Sequence, residues 1–162
     1  MGEIITSGMN DEQKVKAVHD WVVKNVQYDT SLVRHSAYEG LYSKTTVCQG
    51  YALLMFRMLK DSGINGRIVS GGNHAWNLLY LCGNYYHLDA TWDDPVPDVP
   101  NRVLYNYYNK SDSYMASIIH GLLRIIRQHR LLMWKACVQA VRHTRFPGIL
   151  PVRIRSGYRA LH

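Results

Sequence analysis

Cysteine is scarce in this chain of 162 residues, which contains only Cys48, Cys82 and Cys137. Three cysteines cannot all pair with one another, and they are too few for the disulfide framework of a small secreted scaffold. No CxxC spacing occurs, so the sequence also lacks the usual zinc-binding motif. We therefore expect neither a disulfide-stabilised fold nor a metal or other cofactor.

Long apolar runs are absent as well. No run reaches the ~18 residues that a membrane-spanning helix requires, and the first residues lack a basic segment followed by an apolar stretch. We therefore expect no membrane span and no secretory signal. The chain is nevertheless 47% hydrophobic and contains 12 Tyr and 4 Trp, which indicates a packed globular domain.

Acidic residues are missing from the last part of the chain. Residues 116–162 contain nine Lys/Arg and no Asp/Glu, whereas residues 1–115 contain ten Lys/Arg and 12 Asp/Glu. We therefore divide the chain into a core, 10–115, and a basic tail, 116–162. The tail has two interpretations. It is a basic amphipathic helix over about 118–134 that binds a membrane surface or a nucleic acid, or it is an out-of-frame translation of a family C-terminus. Its abrupt onset favours the second interpretation, so we expect no nucleic-acid partner.

Apolar spacing predicts two helices in the core. The first should be capped by Asn10 and run from about Asp11 to Gln27, with valines at steps of three and four on one face. A long loop should follow as far as Lys44, with a turn at Gly40. The second helix should begin near Cys48 and end at 62–63, burying the apolar residues Ala52, Leu53, Phe56 and Leu59.

The segments 75–81 and 84–91 are predicted to form a β-hairpin with Cys82 and Gly83 as its turn, after a short strand at 67–69. In that register, opposed residue numbers sum to 165. His74 and Asp89 are then diagonal neighbours on one face, within reach of each other. Moving the turn by one residue, to 83–84, keeps both on that face. We therefore expect an α+β fold with a helix packed on an antiparallel sheet.

Three segments in this framework carry a thiol, an imidazole and a carboxylate: Cys48-Gln-Gly-Tyr, Asn-His74-Ala-Trp-Asn and His-Leu-Asp89-Ala-Thr-Trp. A cysteine nucleophile needs a base to take its proton and a third group to orient that base. A helix N-terminus at Cys48 would stabilise a thiolate, its backbone N–H would stabilise an oxyanion, and Gly50 would let the backbone approach a substrate.

Each residue also has a purely structural interpretation. A single cysteine such as Cys48 is commonly a small buried hydrophobe, and a histidine such as His74 can simply fill a sheet edge. His87 is a rival imidazole on the same predicted face. The cluster of Asp93, Asp94 and Asp98 is interpreted as an exposed turn rather than a calcium site. Cys82 and Cys137 have no predicted partner and are taken to be bystanders.

Together, the three segments resemble the nucleophile, histidine and aspartate motifs of the transglutaminase-like superfamily, whose core has a papain-like fold. The upstream segment Lys-Ala-Val-His-Asp-Trp-Val is similar to bacterial members, and the likeness covers about 10–115. The resemblance implies that Cys48 is the nucleophile, His74 the general base and then acid, and Asp89 the orienting group. The second oxyanion donor would be Tyr38 or Gln49.

The resemblance also implies a substrate class. Such enzymes form a thioester with a protein or peptide amide and include peptidases, deamidases and protein-glutamine cross-linkers, while other members are silent binding or scaffold modules. It further implies an extracellular or cell-surface location. The acyl acceptor and the oligomeric state are not fixed by any sequence feature, and we favour hydrolysis because it is the default reaction of a thioester that water can reach.

Overall fold

The computed structural model describes residues 4–118. Its elements are α1 (Asp11–Asn25), β1 (Gln27–Tyr28), a π-helix (Glu39–Ser43), β2 (Thr45–Thr46), α2 (Cys48–Asp61), β3 (Gly66–Gly71), β4 (His74–Leu81), β5 (Asn84–Leu88) and α3 (Ala90–Asp93). Residues 112–118 are also helical, so a helical segment crosses the predicted boundary at 115. Cys137 and most of the predicted tail helix lie outside the described residues.

Helix α1 begins where the sequence predicts. Asn10 and Gln13 form a reciprocal capping box, each side chain bonding the other residue's backbone N–H. The predicted apolar stripe is buried: Val15, Val18, Val22 and Val26. The helix ends two residues before the predicted Gln27 because that residue starts β1, where its N–H donates to the Lys44 carbonyl at 2.8 Å.

The predicted long loop contains more structure than expected. Its last part forms the π-helix, so Gly40 lies inside a helix rather than at a turn. Asp29 anchors the first half, accepting hydrogen bonds from the Ser31 hydroxyl and from the backbone N–H groups of residues 31, 33 and 34. The Ser31 hydroxyl and these N–H groups lower the pKa of Asp29 to about 2.

Helix α2 begins at Cys48 and ends at Asp61, and Gly63 follows with φ +83°, as the C-terminal signal predicts. The predicted apolar face is only partly correct. Ala52 and Leu59 are buried, but Leu53 and Phe56 are half-buried. The helix packs between α1 and the sheet, so its buried face is wider than one stripe and also takes in Tyr51, Leu54, Met55 and Met58.

The three strands β3, β4 and β5 form an antiparallel sheet in sequence order. Leu81 pairs with Asn84, which confirms the predicted hairpin register, and both turn residues have positive φ, as type I′ turns require. The predicted second strand was too long, because β5 stops at Leu88. Asp89 caps α3 instead of continuing the strand.

Hydrophobic residues cover both faces of the sheet. The main core lies between α1, α2 and the sheet and includes Tyr51, Met55, Leu79 and Leu88. A second, smaller cluster of Val69, Trp76 and Met115 forms where residues 112–118 pack. No helix within residues 4–118 is long and apolar enough to cross a membrane.

Candidate active site

Two hydrogen bonds align α2 with β4. The buried Asn77 side chain donates to the Ala52 carbonyl at 3.0 Å, and farther along the Tyr80 N–H donates to the Asn65 carbonyl beyond the helix end, also at 3.0 Å. The helix and the strand therefore run in the same direction. Their first residues, which carry the candidate thiol and imidazole, lie at the same end of the fold.

Cys48 occupies the first position of α2 and is 5% exposed. No side chain in the described region caps this N-terminus, and its first turn contains no acidic residue. At α1, by contrast, Asp11 and Glu12 offset the positive end of the helix dipole. The positive end of the α2 dipole therefore favours a negative charge at this N-terminus, where Cys48 lies.

Gly50 lies directly against the side chain of Thr46. A Cβ atom built on Gly50 would lie 1.8 Å from Oγ1 of Thr46, so the glycine permits β2 to pass directly against α2. Thr46 is fully buried, and its hydroxyl donates to the Arg34 carbonyl at 3.0 Å. The close approach observed at Gly50 is thus to the Thr46 side chain, and it places the start of α2 against β2.

His74 and Asp89 are in direct contact. Nε2 of His74 lies 2.5 Å from Oδ2 of Asp89, which is 1% exposed. The other carboxylate oxygen accepts the backbone N–H groups of Thr91 and Trp92 at 3.1 and 3.2 Å. Because the carboxylate accepts the Nε2 proton, Nδ1 of His74 is the nitrogen that can act as a base. The predicted contact is present, and the catalytic roles stay a prediction.

Two tryptophan rings hold the His74 imidazole in orientation. The Trp92 ring stacks on it with a centroid separation of 4.3 Å and an interplanar angle of 3°. The Trp76 ring lies 5.7 Å away at 17°. Since Trp92 belongs to the turn that Asp89 caps, the same turn fixes both the hydrogen bond and the stacking of His74.

His87, the rival imidazole, is occupied elsewhere. Its Nδ1 accepts the Trp76 indole N–H at 2.8 Å, and its Nε2 lies 2.8 Å from Oδ1 of Asp112. Asp89 contacts His74 instead. These contacts favour His74 over His87 as the candidate base.

The interpretation of Asp93 and Asp94 as an exposed turn is wrong. Asp93 is 0% and Asp94 4% exposed, and only Asp98 lies on the surface. Oδ2 of Asp94 accepts the buried Tyr51 hydroxyl. Burial raises the pKa of Asp94 to about 7, although the Tyr51 hydrogen bond opposes the shift. Among residues 4–118, no group of three or more His, Cys, Asp and Glu side chains could hold a metal ion.

The two candidates for the second oxyanion donor, Tyr38 and Gln49, lie at the start of the π-helix and at the start of α2. Tyr38 precedes the π-helix, is 67% exposed, and packs against Tyr42 with ring centroids 4.5 Å apart. Gln49 is the second residue of α2 and is half-buried. The choice between them stays a prediction. Cys82 is exposed in the hairpin turn, with φ of +49°.

Two residues that bond the buried aspartates next to Asp89 were not predicted to have that role: His19 contacts Asp93, and Tyr51 contacts Asp94. Tyr51 was seen only as part of the nucleophile motif, and His19 was not singled out. The available signal for His19 was its position four residues after Val15, on the buried face of α1. A histidine on that face must be hydrogen-bonded when it is buried.

A family model, the transglutaminase-like superfamily, matches residues 1–90. This chain belongs to the transglutaminase-like superfamily. The match covers the nucleophile and histidine motifs and Asp89. It agrees with the observed α+β architecture, in which a helix that begins at Cys48 packs on an antiparallel sheet.

Curated relatives include the kyphoscoliosis peptidases of Mus musculus and Homo sapiens, each 24% identical over 132 residues. The alignments cover 68% of this chain but only 20% of each relative, so the chain spans about a fifth of their length. Two solved structures are also similar. A candidate cysteine protease from Cytophaga hutchinsonii has 23% identity and a TM-score of 0.41, over 55% of this chain and 34% of its own. A TGase has 16% identity and a TM-score of 0.44, over 51% and 27%.

Proposed function

We propose that this chain is a cysteine-nucleophile acyl-transfer enzyme that acts on protein or peptide amides through a thioester. The observation that carries the proposal is the His74–Asp89 pair, located at the start of β4 and at the same end of the fold as Cys48. An uncapped helix N-terminus, an oriented imidazole and a buried carboxylate are the parts that thiol catalysis requires.

In the proposed reaction, Nδ1 of His74 takes the thiol proton and the Cys48 sulfur attacks the amide carbonyl carbon. The backbone N–H of Cys48 and a side chain, Tyr38 or Gln49, stabilise the negative charge that develops on the carbonyl oxygen. His74 then gives its proton to the leaving amine, the carbon–nitrogen bond breaks, and a thioester remains. Asp89 keeps the imidazole oriented and stabilises its charged form.

The second half-reaction decides the name of the enzyme. Water that attacks the thioester, with His74 as base, yields a carboxylic acid, and a primary amine in its place yields a cross-linked amide. In both cases the carbon–sulfur bond breaks, and the Cys48 sulfur leaves and takes the proton back from His74. We favour hydrolysis, and the curated relatives named as peptidases support that choice. A protein or peptide is accordingly the proposed partner.

The test compares the full-length protein with Cys48→Ala and, as matched control, Cys82→Ala. Peptide cleavage, ammonia release and incorporation of a labelled amine are measured side by side. We expect cleavage or ammonia release that Cys48→Ala abolishes and Cys82→Ala leaves unchanged. Amine incorporation that depends on Cys48 would show that the reaction is cross-linking and not the hydrolysis that we favour. No Cys48-dependent product in any assay would favour a silent binding or scaffold module.

Labelling with iodoacetamide tests the nucleophile without a substrate. Cys82 is exposed and Cys48 is buried, so access alone favours the labelling of Cys82. A thiolate stabilised by His74 and the helix dipole should instead make Cys48 the faster site near pH 6. Slower labelling of Cys48 than of Cys82 at that pH would contradict the proposed ion pair.

A further inference from the structure

A buried ionic cluster lies next to the site and joins α1 to α3. Nε2 of His19 lies 3.2 Å from Oδ2 of Asp93, and its Nδ1 lies 3.2 Å from Oδ1 of Asp20. The side chains of His19 and Asp93 are both 0% exposed. Two carboxylates that face both ring nitrogens need two N–H donors, which only the imidazolium form supplies.

The charge state of His19 follows from its surroundings. Burial, the largest single influence, lowers its pKa, but the hydrogen bonds and charges of Asp20 and Asp93 outweigh burial and raise the pKa above its ordinary value. The titratable groups that face the cluster are Lys16, Asp20, Asp93, Tyr105 and Tyr108.

Asp20 and Asp93 depend on His19 to different degrees. Asp20 also accepts hydrogen bonds from Lys16 at 2.5 Å and from the Tyr105 hydroxyl at 2.9 Å. The side-chain bonds of Asp93 go to His19 and to the backbone N–H of Tyr107, at 2.9 Å. Within the described residues, His19 is therefore the cationic partner of Asp93.

Asp93 in turn belongs to the turn that carries Asp89. The Asp93 N–H donates to the Asp89 carbonyl at 3.2 Å. Tyr107, held by the Asp93 carboxylate, accepts the Asp89 N–H on its carbonyl at 3.2 Å. The carbonyl of Asp89 is thus bonded to Asp93 itself, and its N–H is bonded to Tyr107, whose own N–H donates to the Asp93 carboxylate.

We propose that His19 is a positioning residue for the reaction, which holds Asp93 so that the turn presents Asp89 to His74. This inference rests on the proposed function. His19 does not touch the reacting atoms and acts through two successive contacts, first with Asp93 and then through the turn with Asp89.

Two substitutions of similar size separate the two contacts of His19. In His19→Gln the amide nitrogen reaches the position of Nε2 and still donates to Asp93. In His19→Asn it reaches the position of Nδ1 and donates only to Asp20. We expect His19→Asn to lower kcat by about ten- to a hundred-fold with KM unchanged, because small displacements of catalytic groups have effects of that size. His19→Gln should keep a kcat closer to that of the wild type.

A second measurement does not depend on turnover. The proton on Nε2 of His74, bonded to Asp89, should appear as a downfield imidazole resonance in proton NMR, assigned by its absence in Asp89→Ala. We expect the resonance to be lost or broadened in His19→Asn and retained in His19→Gln, with both variants folded by circular dichroism. A role in stability alone would lower the unfolding midpoint and leave the resonance and kcat unchanged.

The outcomes separate the two proposals. An unchanged resonance in His19→Asn, or equal kcat values for the Asn and Gln variants, would overturn the role of His19. A wild type without Cys48-dependent turnover would overturn the proposed function, while the resonance still decides the positioning role. If His19→Asn does not fold, Asp93→Asn replaces it, because that variant keeps an acceptor for Tyr107 and removes the charge that faces His19.

Discussion

The substitution Gly50→Ala sets two physical effects of opposite sign against each other. Gly50 lies in the first turn of α2, where alanine would raise the intrinsic helix propensity and stabilise the fold by up to about 1 kcal/mol. The new Cβ would, however, meet the Thr46 side chain, with 1.8 Å to Oγ1 and 2.7 Å to both Cβ and Cγ2. Contacts this short cannot persist, so either Thr46 or the start of α2 must move.

The magnitude follows from what holds Thr46 in place. Its side chain is fully buried, β-branched and bonded to the Arg34 carbonyl, so no rotation removes the clash without loss of that bond. Overpacking in a core costs about 1–3 kcal/mol, and the lost hydrogen bond costs about 1 kcal/mol more. After the gain in helix propensity, we expect Gly50→Ala to lower the free energy of unfolding by about 1–3 kcal/mol.

Urea unfolding of the full chain, followed by tryptophan fluorescence, measures the effect. Thr46→Gly removes the three atoms that lie nearest to the new Cβ, so in that background Gly50→Ala should be neutral or stabilising. Because Gly50 is two residues from Cys48, the labelling rate of Cys48 should also fall in the single variant. A stabilising effect of Gly50→Ala in the wild-type background would refute the steric argument.

Three further predictions concern the site and the tail. Asp89→Asn keeps an oxygen to cap α3 but removes the charge that faces His74. We therefore expect kcat to fall about a hundred-fold or more, while the free energy of unfolding changes by under ~1 kcal/mol. A variant with the kcat of the wild type would contradict this prediction. Because the folded-state pKa of Asp94, about 7, exceeds its ordinary value, its contribution to stability is present in acid and lost as pH rises through 7. Asp94→Asn should therefore raise the urea midpoint, relative to that of the wild type, more at pH 8 than at pH 5. Equal shifts of the midpoint at the two pH values would refute this prediction. A chain truncated after Ser117 should label Cys48 at the wild-type rate, and a tenfold fall would show that the tail supports the core.

Local signals were sufficient to predict the elements that present the site. The capping residues and valine spacing predict α1, and α2 begins at Cys48, near which its start was predicted. The two-residue turn fixes the hairpin register, and register fixes which side chains share a face. The His74–Asp89 contact was therefore predictable from the sequence, even though the strand carrying Asp89 was drawn too long.

The end of β5 was mispredicted because two local signals compete at Asp89. The residues on either side are apolar or aromatic and favour a strand, whereas an aspartate followed by Ala90 is also a good helix N-cap. The backbone N–H groups of Thr91 and Trp92 are satisfied by the Asp89 carboxylate, so the helical turn is formed. Both conformations place Asp89 near the start of β4, which explains why the wrong element still predicted the right contact.

Contacts between distant segments account for the rest of what the sequence did not predict. The pairing of β1 with β2 joins residues on either side of a long loop, and the π-helix forms within that loop. The burial of Asp93 depends on His19, 74 residues earlier, and no local pattern contains that information. An aspartate is usually exposed unless it is paired, and the pairing is decided by tertiary structure.

The turn from 89 to 94 explains how these distant contacts organise the site. Its three aspartates are all buried, and each binds a side chain from a different element: Asp89 binds His74 of β4, Asp93 binds His19 of α1, and Asp94 binds Tyr51 of α2. A buried carboxylate without a partner costs more than a paired one contributes, so the turn is stable only where all three partners converge. The position of the Asp89 carboxylate relative to α2 is therefore set by the contacts of Asp93 and Asp94, which lie outside the proposed reaction.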